Sequence, residues 1–233
     1  MTLWVATGLG CLGSYLLGGV PIGVIAGRLK GINILKVGSG NIGAANVGRL
    51  FGLRWGLAVF ALDVLKGFLP TLLADYFLLD PTSGTAPAEE WRYVCWLMIG
   101  LFAVLGHNYS PYLGFRGGKG VATSFGAALG VYPHLTYPAL IALTAWGLMV
   151  GMTRISSAGS ITAAVVFPVA YTVLAAVDGW DKVPRWPFLS FTLLATVMVM
   201  VRHRANIARL LKGTEARLVR YPANGTESSK VRV

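Results

Sequence analysis

Long apolar segments constrain most strongly what this chain can fold into. A helix needs about 20 apolar residues to cross the roughly 30 Å hydrocarbon core of a bilayer. Four segments have that length, at residues 3–27, 55–79, 133–152 and 155–177. Three more are shorter or interrupted, at residues 93–113, 120–131 and 186–201. We expect seven transmembrane helices, although residues 120–131 could instead form a re-entrant half-helix.

The low charge content supports the same class of protein. Only 12% of the residues are charged, about half of what soluble domains carry, so the chain cannot cover a soluble globule with polar surface. We therefore expect one all-α integral membrane domain over residues 1–233, with residues 224–233 as a frayed polar tail. Cys11 and Cys95 lie in apolar segments and are expected to be small buried hydrophobic residues.

The basic residues are concentrated in alternate loops and in the carboxyl-terminal tail, which places them on one side of the expected helices. Of the 20 Lys and Arg residues, only Lys66, Arg92, Lys182 and Arg185 fall outside one set of loops and the carboxyl-terminal tail. Cytoplasmic loops collect Lys and Arg, so seven crossings predict an external amino terminus and a cytoplasmic carboxyl terminus. The basic residues do not form a continuous stripe with interleaved aromatics, so the net charge of +11 does not indicate a nucleic-acid partner.

Two glycine-rich loops lie on the side that carries the basic residues. The first contains Gly38, Ser39, Gly40, Asn41, Asn46 and Arg49, and the second contains Gly117, Gly118, Lys119 and Gly120. Glycine lets backbone N–H groups approach a ligand closely, and successive N–H groups form an anion-binding concavity. The second loop also ends where a helix starts, which adds a partial positive charge. The pattern predicts one large phosphate site or two adjacent ones.

The glycines could instead only turn the chain, with the basic residues holding its orientation in the membrane. A nucleotide P-loop is not matched, because Lys119 is followed by Gly120 rather than Ser or Thr. Since both loops lie on the same face, each with Asn or Lys beside glycine, phosphate binding is favoured. Arg116 is expected to set orientation or contact lipid headgroups.

Other polar residues lie near these loops or inside a span. His203 and Asn206 are three residues apart and share one helical face, and Ser157 belongs to a short polar turn that is typical of a helix cap. Asp63 and Lys66 are the only full charges well inside a span. Ionisable residues there normally face the bundle interior, and we expect a structural ion pair rather than a proton relay.

Several enzyme classes lack their motifs in this chain. There is no Gly-x-Ser-x-Gly elbow, no His-Glu-x-x-His zinc helix and no His followed five residues later by Asp, the pattern of acyl-CoA-dependent glycerolipid acyltransferases. The three histidines are scattered along the chain. We therefore expect neither a metal nor a cofactor.

Several motifs in order resemble the bacterial acyl-phosphate:glycerol-3-phosphate acyltransferase family, the PlsY type. They are residues 18–23 (GGVPIG), 38–49 (GSGNIGAANVGR), 62–67 (LDVLKG), 117–123 (GGKGVAT), 203–207 (HRANI) and 211–215 (LKGTE). The resemblance covers nearly the whole chain. The chain departs from the family pattern at Gly19, where Ser is usual, and at Ala45, where Thr is usual. The absence of a hydroxyl at Ala45 affects one contact to phosphate that the family would make there.

The resemblance implies seven membrane helices and transfer of a fatty acyl group from acyl phosphate to glycerol 3-phosphate, giving lysophosphatidic acid and phosphate. It places the protein in the bacterial cytoplasmic (inner) membrane, with the site facing the cytoplasm and a soluble enzyme supplying the acyl phosphate. The roles it implies are phosphate binding by Ser39, Gly40, Asn41 and Asn46, charge from Arg49 and Lys119, and contacts to glycerol 3-phosphate from Ser157, His203 and Asn206.

The residues fit this chemistry on physical grounds as well. Acyl phosphate is a mixed anhydride with a good leaving group, so the chain needs no nucleophilic Ser or Cys, and cations with backbone N–H groups can stabilise the leaving phosphate. A groove between helices can take up the alkyl chain. Two alternatives remain: a transporter or flippase for a phosphorylated lipid or organic anion, and an acyl-CoA-dependent enzyme. The missing internal repeat counts against the transporter.

Overall fold

Helices account for nearly all regular structure in the described part of the chain. The computed structural model describes residues 3–78, 89–177 and 183–218. These ranges contain ten α-helices: α1 Leu3–Gly19, α2 Ile22–Leu29, α3 Ala44–Phe51, α4 Leu53–Leu78, α5 Glu89–Asn108, α6 Val121–Leu129, α7 Thr136–Thr153, α8 Ser156–Val177, α9 Arg185–Arg202 and α10 Arg204–Leu211. A short 3-10 helix covers Pro111–Leu113. All of the predicted tail at residues 224–233 lies outside the described residues.

Among the residues that the structure describes, four helical segments are long and apolar enough to cross a membrane. They are Leu3–Leu29, Leu53–Tyr76, Thr136–Thr153 and Ser156–Val177, at the places where the four longest apolar segments predicted them. A fifth is obtained if α9 and α10, which are bent by 62° at their junction, count as one span. The helical class is confirmed, while the seven crossings and the sides of the termini remain predictions.

The first predicted span is found as one candidate span, Leu3–Leu29, but two helices, α1 and α2, make it up. The break falls at Val20 and Pro21, since proline has no N–H to continue the helical ladder. Lys66 Nζ donates a hydrogen bond of 3.1 Å to the Val20 carbonyl. Lys66 Nζ also lies 2.9 Å from Asp63 Oδ1, and both side chains are buried, so the predicted ion pair is confirmed and also supports the helix break.

The segment at residues 120–131 forms the short helix α6. Its nine residues rise about 13.5 Å at 1.5 Å per residue, less than half of the roughly 30 Å hydrocarbon core. A half-helix therefore fits its length better than a full crossing. It packs closely on α4, where Gly67 faces the Thr123 carbonyl and Gly126 faces the Val64 carbonyl.

Helices α1 and α5 also meet at backbone distance. A Cβ added at Gly18 would collide with the Ala103 carbonyl, and one added at Gly106 would collide with the Tyr15 carbonyl. Small residues at such positions let membrane helices approach closely, where packing rather than the hydrophobic effect drives association. Cys11 and Cys95 are both buried and free on this helix pair, as predicted.

The polar segments gather at one end of the bundle. The end of α9, the starts of α6, α8 and α10, and the segment 212–218 are joined there by hydrogen bonds. An apolar core with the buried aromatic residues Trp96 and Phe188 lies behind them. In the second loop, Gly117 and Gly118 lie beside α5 and the end of α9, and Lys119 lies beside the start of α10.

We predict that Gly18→Leu destabilises the protein. Overpacking a close contact costs about 1–3 kcal/mol, so the temperature at which the detergent-purified protein loses half its folded fraction should fall. Gly13→Leu on the same helix is the matched control, because no heavy atom lies within 4 Å of a Cβ added there. Equal midpoints for the two variants would contradict the close α1–α5 packing.

Candidate active site

The second glycine loop, residues 117–120, lies against the end of α5. A Cβ added at Gly117 would collide with the His107 carbonyl, and one added at Gly118 would collide with the His107 ring. The Gly118 N–H donates to the His107 carbonyl over 3.0 Å. Only glycine fits at these two positions, so the loop follows the surface of α5 closely.

The loop ends at the amino terminus of α6. Gly120 caps this helix with a left-handed φ of +78°, a conformation that glycine adopts without steric cost. The first N–H groups of a helix have no partner within the helix, and they carry a partial positive charge. The loop therefore offers both a helix end and a lysine to an anion.

Lys119 is the cation of this loop and is half-buried. Its Nζ donates a hydrogen bond of 2.6 Å to Asn206 Oδ1. Burial is the largest cause that lowers the pKa of Lys119, to about 8; nearby Glu215 raises it, while Arg209, Arg49 and Arg202 lower it. The ammonium group is held by a neutral acceptor, which leaves its charge available for an anionic ligand.

Glu215 joins its own segment, residues 212–218, to α8 and α10. Its Oε1 accepts hydrogen bonds from Ser157 Oγ at 2.7 Å and from Asn206 Nδ2 at 2.5 Å. Its Oε2 lies 2.6 Å from Arg209 Nε, and the Glu215 side chain is only 6% exposed. These contacts lower the pKa of Glu215, although burial alone would raise it. The carboxylate is therefore ionised and fixes Asn206 and Ser157.

His203 stands at the bend between α9 and α10 and is buried. Its Nδ1 lies 2.8 Å from the Val199 carbonyl. Because a carbonyl only accepts hydrogen bonds, Nδ1 carries the proton in the neutral ring, and Nε2 is left with its lone pair. His203 can thus accept a hydrogen bond from a hydroxyl group.

The first glycine loop is folded around Asn46 of α3. Asn46 is buried, accepts the Ser39 N–H over 2.9 Å and donates to the carbonyls of Asn41 and Val37. Gly38 and Gly40 have left-handed φ values of +64° and +65°, which the tight loop requires. The two side-chain amide hydrogens of Asn46 both bond within the loop, so Asn46 determines the shape of the loop. Ser39 is exposed at the surface of the loop.

The Asn41 side chain serves the same loop. Asn41 Oδ1 accepts the Gly43 N–H over 2.8 Å, a local bond that asparagine often makes with the residue two positions on. Gly43 is the residue that precedes α3. The side chain therefore orients the start of α3, and Arg49 follows on this helix.

Arg49 reaches the carboxyl-terminal segment from α3. Its Nη2 donates to the Ala216 carbonyl over 3.2 Å, next to Glu215. Its Nε is buried and has no hydrogen-bond partner among the described residues, so this donor can serve a ligand. The structure thus connects α3 with the Lys119 cluster through residues 215 and 216.

The predicted residues fall into two groups by position. One group is linked by hydrogen bonds through the carboxyl-terminal segment and consists of Lys119, Asn206, Ser157 and Arg49. His203 lies next to this group in the sequence, three residues before Asn206. Ser39, Gly40 and Asn41 belong to the loop before α3, and no hydrogen bond joins them to Lys119 within the described residues. Arg116 is exposed, and Arg154 ends α7 in a left-handed conformation just before Ser156 starts α8.

Sequence reasoning missed Glu215 and Arg202 as parts of the site. Glu215 appeared only as the last residue of a family motif, and Arg202 only as one of the basic residues that set the topology. The Arg202 guanidinium donates to the carbonyls of Gly117 and Gly118. An acidic residue in a basic tail, and an arginine at a helix end, are signals that could have pointed to buried pairing.

An apolar cavity lies near the polar cluster, which consists of Lys119, Ser157, His203, Asn206 and Glu215. It lies between α4, α6, α7, α8 and α9, and small side chains line much of it: Ala128, Ala139, Ala142, Ala163, Ala164 and Ala195. Val121 and Val199 also line it. Val121 is two residues after Lys119, and the Val199 carbonyl bonds to His203, so part of the cavity lining lies close to the polar cluster.

Comparison with known proteins gives one consistent answer. The family model described as glycerol-3-phosphate acyltransferase matches residues 8–213. A glycerol-3-phosphate acyltransferase of Anaeromyxobacter sp. (strain Fw109-5) is 42% identical over 205 residues, covering 88% of this chain and 92% of the relative. One of Thermosynechococcus vestitus is 41% identical over 220 residues, covering 94% and 98%.

Solved structures agree with the sequence relatives. The crystal structure of PlsY (YgiH), an integral membrane glycerol 3-phosphate acyltransferase, in its glycerol 3-phosphate form has a TM-score of 0.75 and 35% identity, covering 92% of this chain and 96% of that one. The same protein in its lysophosphatidic acid form gives a TM-score of 0.74 at 35% identity, covering 91% and 95%. The resemblance predicted from the motifs is confirmed: the chain belongs to the glycerol-3-phosphate acyltransferase family, as an integral membrane protein of the PlsY type.

Proposed function

We propose that this acyltransferase moves a fatty acyl group from acyl phosphate to glycerol 3-phosphate and releases lysophosphatidic acid and inorganic phosphate. One observation carries the proposal: Lys119, with its half-buried ammonium group, belongs to the loop that leads into α6, and Val121 at the start of α6 lines an apolar cavity between the helices. Both proposed substrates carry phosphate, and the donor also carries an alkyl chain. The forms in which the PlsY relative was crystallised name an acceptor and a product of this kind.

The phosphate groups are held by charge and by backbone donors. Lys119, the unpaired Arg49 Nε and the first N–H groups of α6 would bind them, with Gly117, Gly118 and Gly120 allowing the close approach. The Ser39–Asn41 turn, together with Gly38, would add donors from the first loop, which Asn46 shapes. Charge-assisted hydrogen bonds of this kind are roughly twice as strong as neutral ones.

Acyl transfer then needs positioning more than a protein nucleophile. A glycerol hydroxyl oxygen attacks the acyl carbon, the carbon–oxygen bond to the donor phosphate breaks, and phosphate leaves with its electron pair. Lys119 and the helix end stabilise the charge that develops on this leaving group. Asn206, Ser157 and His203 align glycerol 3-phosphate so that its hydroxyl meets the acyl carbon.

The hydroxyl proton goes to an oxygen of a substrate phosphate. This oxygen lies on the reacting molecules themselves and needs no further base from the chain. His203 Nε2, with its lone pair, is the second candidate because Nδ1 is engaged by the Val199 carbonyl. Either acceptor keeps the reaction balanced without a cofactor.

The apolar cavity takes the fatty chain of the donor. Each buried methylene contributes about 0.8 kcal/mol, so a long chain anchors the donor while its phosphate stays at the polar end. The chain would enter this cavity from the membrane lipid that surrounds the bundle. A soluble enzyme that produces acyl phosphate would supply the donor to this surface.

The topology proposed from the sequence places this chemistry at the cytoplasmic face of the bacterial inner membrane. Seven crossings with an external amino terminus put both glycine loops and the segment 212–218 on the cytoplasmic side, where positively charged loops collect. Glycerol 3-phosphate, a charged water-soluble molecule, then reaches the site without crossing the membrane.

We predict that the purified protein in detergent makes lysophosphatidic acid from acyl phosphate and labelled glycerol 3-phosphate, and none from acyl-CoA. Lys119→Ala should lower kcat/KM by about 10²–10³-fold, the usual cost of removing one donor to a developing oxyanion. Lys36→Ala, an exposed lysine in the first loop, is the matched control and should retain activity. A transporter would make no product, and equal use of acyl-CoA would refute the donor.

We predict an alkaline loss of activity that follows Lys119. Its pKa of about 8 means that kcat/KM should fall as the pH rises through about 8, since the neutral amine no longer holds phosphate. Bound phosphate stabilises the ammonium form, so the corresponding limb in kcat should lie at a higher pH. In Lys119→Arg the limb should move beyond about pH 10, and an unchanged limb would contradict the assignment.

We predict that narrowing the cavity changes the preference for chain length. In Ala142→Phe a ring replaces a buried methyl group in the lining, so KM should rise at least several-fold for long-chain acyl phosphates and less for short ones. Ala61→Phe, at an exposed position on α4, is the control. A uniform change across chain lengths in Ala142→Phe would mean that the chain lies elsewhere.

A further inference from the structure

Arg202, at the end of α9, forms hydrogen bonds to the backbone of the second glycine loop. Its Nε donates to the Gly118 carbonyl over 3.0 Å, and its Nη2 donates to the Gly117 carbonyl over 2.8 Å. The guanidinium carbon lies 5.4 Å from the centroid of the Tyr109 ring, a cation–π distance. Tyr109 is in turn tied to α1, because Tyr15 Oη donates to the Tyr109 carbonyl over 2.7 Å.

These two hydrogen bonds fix the direction of two peptide planes. In a trans peptide the C=O and the following N–H point in opposite directions. Since the Gly118 carbonyl points at Arg202, the Lys119 N–H points to the other side of the loop. The preceding peptide is held at both ends, with the Gly117 carbonyl on Arg202 and the Gly118 N–H on the His107 carbonyl.

Two nearby residues, Arg202 at the end of α9 and Asn206 at the start of α10, therefore hold the second glycine loop. Arg202 binds the loop backbone, and Asn206, four residues later, binds the Lys119 ammonium group. His203 lies between them at the bend. The loop, the bend and the start of α10 are thus locked in one arrangement.

We propose that Arg202 is a positioning residue for phosphate binding: by holding the Gly117 and Gly118 carbonyls, it turns the Lys119 N–H and the start of α6 toward the substrate phosphate. The Nε and Nη2 donors of Arg202 are bonded to the protein backbone, so in this role Arg202 acts through the loop. The inference rests on the proposed function, because it assumes that the second loop holds a substrate phosphate.

Arginine suits this task and lysine does not. A guanidinium is planar and presents several N–H donors in a fixed fork, so it can bond two carbonyls and lie on an aromatic ring together. A lysine keeps the charge but has one flexible ammonium group. Arg202→Lys therefore separates geometry from charge.

The test compares Arg202→Lys and Arg202→Ala with Arg204→Ala, which removes an exposed arginine two residues away. KM for glycerol 3-phosphate should rise about ten-fold or more in both Arg202 variants, the scale of two lost hydrogen bonds, with a smaller change in kcat. Thermal stabilisation by added glycerol 3-phosphate should shrink in parallel. Arg204→Ala should match the wild type.

The outcomes separate this inference from the proposed function. An unchanged KM with unchanged ligand stabilisation in folded Arg202 variants would overturn the positioning role, and so would full activity in Arg202→Lys. An equal KM rise in Arg204→Ala would show that only local charge matters, which also overturns it. If the wild type made no lysophosphatidic acid yet its stabilisation by glycerol 3-phosphate depended on Arg202, the proposed function would fail while the loop assignment held.

Discussion

The structure depends on keeping one lysine charged and half-buried at the end of an apolar bundle. Lys119 donates a hydrogen bond to Asn206, and Asn206 donates one to Glu215. Glu215 also accepts a hydrogen bond from the Ser157 hydroxyl. Because the acceptor of Lys119 is a neutral amide, its charge is not cancelled by a direct ion pair. The carboxylate lies one step away, where it fixes the amide and partly offsets the burial that lowers the pKa of Lys119.

The membrane explains why these groups are gathered at one end. Backbone and side-chain polar groups need partners wherever water is absent, and the chain meets this need inside the protein. The Lys66 ammonium group donates a hydrogen bond to the Val20 carbonyl at the helix break. Arg202 donates hydrogen bonds to two carbonyls of the loop that precedes the short helix α6. At these two places the irregular backbone is thus tied to charged side chains rather than left toward lipid.

Sequence reasoning predicted the long helices well, because apolar length alone decides them. It predicted one helix where Pro21 makes two, since hydropathy does not register a missing N–H. It also did not predict α3 and the separate α10 as helices of their own, because eight-residue helices are too short to leave a clear apolar period. The family resemblance implied roles for Lys119, Asn206 and Ser157 from the sequence alone.

The hydrogen-bond partners could not be predicted in the same way. Glu215 lies 58 residues from Ser157 in the chain, and Arg202 lies 84 from Gly118, so only the fold brings them together. Asn46 was expected to bind phosphate, but its amide is engaged within its own loop. Residue type indicated the chemistry, while tertiary contacts decided which side chains remain available.

The most direct measurement is an experimental structure of this protein with glycerol 3-phosphate bound. The account predicts a phosphate oxygen about 2.7–2.9 Å from Lys119 Nζ, the usual length of such a charge-assisted hydrogen bond. The glycerol end should lie toward His203 and Asn206. A phosphate group bound away from the second glycine loop, with Lys119 still on Asn206 alone, would contradict the account.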